Sequence, residues 1–211
     1  MSAWLPWAAV LPTPRRREPY RWLKPGILLG GLAPLAYLIL RASQGELGAN
    51  PIAQMENELG LTALIFLVAA LACTPARRLL KWTWQMRVRR GLGLFAFFYA
   101  TLHFLTYLAL DQFFDWSAIV ADIAERPFIT VGFAALVLMV PLAITSTNDW
   151  VRRLGYLRWL RLHQVVYLAG ALAILHFIWR VKIDLTQPLT YAAIVAALLG
   201  VRAVFWLRSR S

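Results

Sequence analysis

Long apolar runs separated by short arginine-rich segments constrain this chain more than any other feature of it. A membrane span needs roughly 20 mostly apolar residues. Stretches of that kind occur at Leu23–Leu40, Leu59–Thr74, Gly91–Leu110, Phe128–Thr145, His163–Val181 and Leu189–Leu207. Backbone groups in lipid must find partners within their own segment, so the runs predict helices and an all-α integral membrane bundle of about six transmembrane helices. Hydrophobic residues make up 60% of the 211 positions and charged ones 15%, a balance that fits lipid rather than water as the solvent. A formal charge of +12 in a soluble protein would point to nucleic acid. Here the positive residues cluster between apolar runs, so membrane lipid is the expected surround and no nucleic acid is expected.

The clusters also orient the bundle, because Lys and Arg accumulate in short cytoplasmic connections. Arg15, Arg16, Arg17, Arg21 and Lys24 precede the first run. Arg77, Arg78, Lys81, Arg87, Arg89 and Arg90 separate the second from the third, and Arg152, Arg153, Arg158 and Arg161 separate the fourth from the fifth. Arg202, Arg208 and Arg210 close the last. The other connections hold most of the acidic residues, including Glu46, Glu56, Glu58, Asp111, Asp115, Asp122 and Glu125. Both termini are therefore expected on the cytoplasmic side. Residues 1–22 read as a basic, proline-rich leader whose composition does not support a packed core, and 23–208 as one membrane domain without an internal repeat. The single cysteine, Cys73, rules out an intrachain disulfide and reads as a small buried hydrophobe.

Ionisable residues inside spans are costly, and each is a functional hypothesis by default. The chain has three histidines, His103, His163 and His176. From Gly91 to His103 is a rise of about 18 Å, and from His163 to His176 about 19.5 Å, at 1.5 Å per residue. His103 and His176 are thus expected at one level in the outer half of the bilayer, where two imidazoles facing each other supply both axial nitrogens of a haem iron. Aromatic neighbours such as Phe97, Phe104 and Phe177 suit a flat macrocycle. His163 lies near the cytoplasmic interface, about 140° around a straight helix from His176. A shared face requires a kink or an unwound turn between them. The corresponding place on the third span holds Arg89 and Arg90, whose guanidinium forks suit propionates, a flavin phosphate or anionic lipid.

A set of short motifs in a fixed order accompanies these histidines: Leu47-Gly-Ala-Asn-Pro51, Thr74-Pro-Ala-Arg-Arg78, Arg89-Arg-Gly-Leu-Gly-Leu94, Ala100-Thr-Leu-His-Phe104, Arg126-Pro-Phe-Ile-Thr-Val-Gly132, Pro141-Leu-Ala-Ile-Thr-Ser-Thr147, Trp159-Leu-Arg-Leu-His163 and His176-Phe-Ile-Trp-Arg-Val-Lys182. With them the chain resembles the MsrQ (YedZ) family, haem-binding membrane subunits of the MsrPQ methionine sulfoxide reductase system, related to the ferric reductase-like transmembrane domain. The resemblance covers roughly residues 24–207. It implies a b-type cytochrome of the bacterial inner membrane carrying one or two haems b, with His103, His176 and His163 as iron ligands. Arg89 or Arg90 stands where the wider superfamily has a fourth histidine, which leaves the haem count open. It further implies room for FMN, electrons from the quinone pool or a cytoplasmic flavin reductase, and output to a periplasmic molybdenum-containing, MsrP-like catalytic subunit. On this reading the chain is an electron-transfer subunit with no catalytic residue of its own. The competing class is a proton-coupled transporter using intramembrane histidines, which predicts polar residues along mid-span and Gly/Pro-broken helices.

Overall fold

The computed structural model describes residues 22–208, so all of the expected leader but Trp22 lies outside the described residues. Six helical stretches among those residues are long and apolar enough to cross a membrane. The elements in order are α1 (Leu23–Ser43), α2 (Pro51–Leu80), α3 (Gln85–Thr106, continued by a π-helical turn Tyr107–Asp111), α4 (Trp116–Glu125), α5 (Pro127–Ile144), α6 (Asn148–Leu154), α7 (Tyr156–His163), α8 (Val166–Arg180) and α9 (Thr186–Arg208). α7 and α8 together form the fifth stretch. The most closely paired elements are α2 with α3 and α5 with α8. α1 packs on the α3 side of this four-helix centre, and α9 against α8 and α2.

The second helix is much longer than its apolar run. Asn50 caps it by accepting a hydrogen bond from Ala53 N–H at 3.1 Å, and Pro51 occupies the first turn, where its missing N–H costs nothing. The helix therefore starts eight residues before Leu59 and runs for 30 residues to Leu80, where Lys81 ends it in a left-handed conformation. Its first two turns carry Glu56 and Asn57 along one end of the bundle. α4 was not evident in the apolar pattern. It is an amphipathic helix capped by Asp115, which accepts from the N–H groups of Ser117 and Ala118, and it buries Ile119 while exposing Trp116 and Val120.

Helices in lipid gain little from apolar contact alone, so close approach through small residues matters. Ala96 and Ala169 are fully buried where α2, α3, α5 and α8 meet, with Leu67, Leu71 and Met139 around them. Leu71 lies 3.6 Å from the position a Cβ on Gly170 would take, an ordinary contact distance. On the α1 side the fit is tighter, since a Cβ on Gly31 would lie 2.2 Å from the Phe95 ring. Phe66 stacks on both Phe95 and Tyr99 at 5.4 and 5.5 Å between centroids.

Tyr99 secures this junction. Its hydroxyl accepts from Leu35 N–H at 3.0 Å and donates to the Gly31 carbonyl at 2.7 Å. Those two groups are one helical turn apart on α1 beside Pro34, whose ring disturbs the local ladder. A phenol from α3 thus enters the backbone bonding of α1. Replacing Tyr99 by Phe keeps the ring and removes the hydroxyl, and it is expected to destabilise the bundle by about 1–2 kcal/mol. A lowered unfolding midpoint in detergent checks this, and an unchanged midpoint contradicts it.

Candidate functional site

His103 on α3 and His176 on α8 come together across the bundle with ring centroids 6.1 Å apart and planes at 74°. They line a cavity of about 340 Å³ between α2, α3, α5 and α8. Each helix contributes residues three or four apart, the spacing that repeats on one helical face. α2 presents Glu56, Gly60, Leu64 and Leu67, and α5 presents Phe128, Gly132, Leu136 and Met139. From α3 come Ala96, Ala100, His103 and Tyr107, and from α8 Ala173, His176 and Arg180.

Both imidazoles are held by one device used twice. His103 Nδ1 donates to the Glu56 carbonyl at 2.9 Å, and His176 Nδ1 donates to the Phe128 carbonyl at 2.7 Å. Each carbonyl already belongs to a helix, and a side chain four residues on would ordinarily cover it. Gly60 and Gly132 occupy those positions. A Cβ on Gly132 would stand 2.6 Å from His176 Nδ1, and one on Gly60 3.2 Å from His103 Nδ1. The separations between histidine and carbonyl residue are 47 and 48 positions. The two helix pairs are therefore built alike at this point, although little besides glycine and histidine is shared.

Engaging Nδ1 as donor leaves the Nε2 lone pair of each ring for a ligand, the arrangement usual for metal-bound histidine. Two imidazole nitrogens on opposite sides of one metal, each bonded at about 2.0 Å, put ring centroids roughly 6.3 Å apart. The observed separation suits that. Among the described residues no group of three or more His, Cys, Asp or Glu side chains is placed to hold a bare ion. Two imidazoles at this separation instead suit an iron that brings its own four equatorial ligands in a macrocycle.

His163 does not line this cavity. Its Nε2 lies 3.0 Å from Thr145 Oγ1, whose hydroxyl donates to the Pro141 carbonyl and so accepts from the imidazole. Trp159 covers the ring at 4.1 Å between centroids and donates from Nε1 to the Thr145 carbonyl. The helix is interrupted at Gln164–Val165, between α7 and α8, which is the break that a shared face demanded. His163 and His176 both turn toward α5, one at each end. Arg90 bonds Asn148 Oδ1 at 3.1 Å in the connection after α5. Arg89 is near enough to His163, Cys73 and Arg202 to interact electrostatically with each. His163, Arg89 and Arg90 thus gather at the arginine-rich end of the bundle, away from the paired histidines.

Several cavity residues were not singled out from the sequence. Gly60 and Gly132 carry a signal only once the histidines are placed against them. Arg180, four residues after His176 and hence on the same face of α8, was legible in principle. Of the acidic residues that the charge pattern assigns to the less basic connections, Glu58 is bound by Arg41 and Gln54, and Asp122 by Arg126 and Tyr107.

The fold and its paired-histidine cavity define a ferric-reductase-like membrane protein, and the family described as ferric reductase like transmembrane component matches residues 58–174. The match extends further to a particular branch. The chain is 54% identical over 184 residues to the protein-methionine-sulfoxide reductase heme-binding subunit MsrQ of Rhodospirillum rubrum, covering 87% of this chain and 88% of that one. It is 53% identical to the MsrQ of Deinococcus radiodurans over 184 residues, with 87% and 91% covered, and 46% identical to that of Ralstonia nicotianae over 199 residues, with 93% and 91% covered. The chain belongs to the MsrQ family.

The glycine device makes a graded prediction. Gly132→Ala should displace His176 and disrupt its bond to the Phe128 carbonyl, read as a changed ¹⁵N shift of His176 Nδ1. Gly60→Ala should do the same to His103 more mildly, and Gly93→Ala, with nothing within 4 Å, should leave both signals in place. Equal effects from all three substitutions would contradict the assignment.

Proposed function

We propose that the chain is a b-type cytochrome subunit that relays electrons across the bacterial inner membrane to a periplasmic molybdenum-containing methionine sulfoxide reductase subunit, which repairs oxidised proteins. The observation that carries this reading is the pair of imidazoles 6.1 Å apart, both fixed through Nδ1 to helix carbonyls, in a largely apolar slot. The relatives' names, heme-binding subunits of a protein-methionine-sulfoxide reductase, support it from a second direction.

Haem b supplies one-electron redox chemistry when bound. The chain's own residues do the rest. His103 and His176 would hold the iron through Nε2, and the Glu56 and Phe128 carbonyls keep the proton of both rings on Nδ1. Leu64, Leu67, Ala96, Ala135 and Met139 exclude water from the inner part of the slot. That apolar lining speaks against the transporter reading, which needs polar groups along the path. His163, with Arg89 and Arg90, serves the cytoplasmic end as the ligand of a second haem or as the point of electron entry. The two guanidinium groups there suit the phosphate of FMN or the carboxylates of a second porphyrin. Electrons enter from the quinone pool or a flavin reductase, and both termini face the cytoplasm with the arginine clusters.

His103→Ala and His176→Ala should each abolish the low-spin spectrum of the haem between those two histidines in the detergent-purified protein, while His163→Ala should leave that spectrum and slow reduction from the cytoplasmic side. An unchanged low-spin spectrum in either of the first two variants would refute the pairing.

A further inference from the structure

The cavity has two unlike ends. Toward the arginine clusters its lining is hydrocarbon, with Leu67, Ala96 and Met139. At the other end, where α2 and α5 begin and α3 and α8 finish, the lining turns polar with Glu56, Asn57, Asp111, Arg126 and Arg180.

Arg180 is the unusual member of this group. It follows His176 by one helical turn, so both side chains project from the same face of α8 into the cavity. Its guanidinium donates to Asn57 Oδ1, a neutral acceptor. Among the described residues Arg180 forms no ion pair, while Arg126, at the same mouth, is paired with Asp122 through Nε at 3.1 Å. Glu56 is close enough to influence Arg180 electrostatically, yet Glu56 Oε1 is buried without a hydrogen-bond partner. A half-buried guanidinium whose hydrogen-bond partner is neutral, opening on a cavity, has unused donors and a charge that Glu56 balances only at a distance. Desolvating such a charge is costly unless an anion completes it.

We propose that Arg180 is a positioning residue that receives a carboxylate arm of the cavity's occupant, and so seats an amphiphilic macrocycle one way round. Its carboxylate edge lies at the polar mouth and its hydrocarbon edge against Leu67, Ala96 and Met139. A planar fork with several N–H donors matches a carboxylate well, and of the two guanidinium groups lining the cavity Arg126 is already paired with Asp122. The ligand class is a metalloporphyrin with free carboxylates, and its esters are discriminated against. The inference rests on the haem reading above and adds a direction to it. The edge nearest water at the end remote from the arginine clusters is the carboxylate edge, next to Arg180.

The test titrates the full-length chain, produced under haem starvation, with haemin or with haemin dimethyl ester, following the bis-imidazole absorption bands. The wild type should bind haemin about tenfold or more tighter than the ester, the effect of losing one charge-assisted hydrogen bond. Arg180→Gln should weaken haemin by a similar factor and leave the ester unchanged. Equal affinity of the wild type for both probes overturns the proposal, as does an Arg180→Gln variant that weakens both alike, which is the mark of a purely structural role. Arg180→Lys guards against a glutamine variant that does not accumulate. The lysine keeps the charge and must keep part of the preference for haemin, and its loss also overturns the proposal. A wild type that takes up neither probe removes the haem reading and this inference with it, whereas equal uptake of both removes this inference alone.

Discussion

Two backbone carbonyls, those of Glu56 and Phe128, each accept a histidine N–H while belonging to a helix, and the architecture of the site follows from making that possible. A helix carbonyl lies beneath the side chain four residues on. With that side chain present, an imidazole from a neighbouring helix is crowded away from a contact of 2.7–2.9 Å, severely at Gly132 and more mildly at Gly60. Gly60 and Gly132 remove it, draw α3 onto α2 and α8 onto α5, and fix which ring nitrogen carries the proton. The 74° between the ring planes follows from where those two carbonyls stand.

The remaining packing holds the two helix pairs at the separation that the histidines need. Ala96 and Ala169 bring the four central helices together on the arginine-rich side of the cavity. The cavity then opens because Gly60, Ala100, Gly132 and Ala173 line it with little bulk. α1 and α9 lie outside this centre. Tyr99 locks α1 in place, while Arg202 on α9 reaches the Tyr167 hydroxyl and the Leu71 carbonyl. Each flanking helix is thus joined by polar bonds to a centre whose own contacts are mostly apolar, which suits association in lipid, where apolar contact discriminates poorly.

Much of this was legible in the sequence because membrane spans are written in a simple code of apolar runs and basic clusters. The six runs coincide with six helical stretches. The common depth expected for His103 and His176 follows from counting residues along their helices, and the structure places the two rings side by side. The helix break before α8 was foreseen as a condition for His163 and His176 to share a face. The length of α2 was not seen, because its first two turns are polar and their helicity comes from the Asn50 cap rather than from hydropathy. α4 escaped for a similar reason, since an amphipathic helix of 10 residues leaves no span-length run. The pairing of each histidine with its carbonyl is a long-range relation across 47 and 48 positions, which local pattern does not reveal. Arg180 went unread because a lone arginine after a span resembles any other interfacial charge.

The central claim is that one iron lies between His103 and His176, and low-temperature electron paramagnetic resonance of the purified, oxidised full-length chain tests it most directly. Two imidazoles held nearly perpendicular should give a low-spin ferric signal of high anisotropy, with its main feature at unusually low field. A high-spin signal, or the absence of any ferric haem signal in correctly inserted protein, would contradict the account.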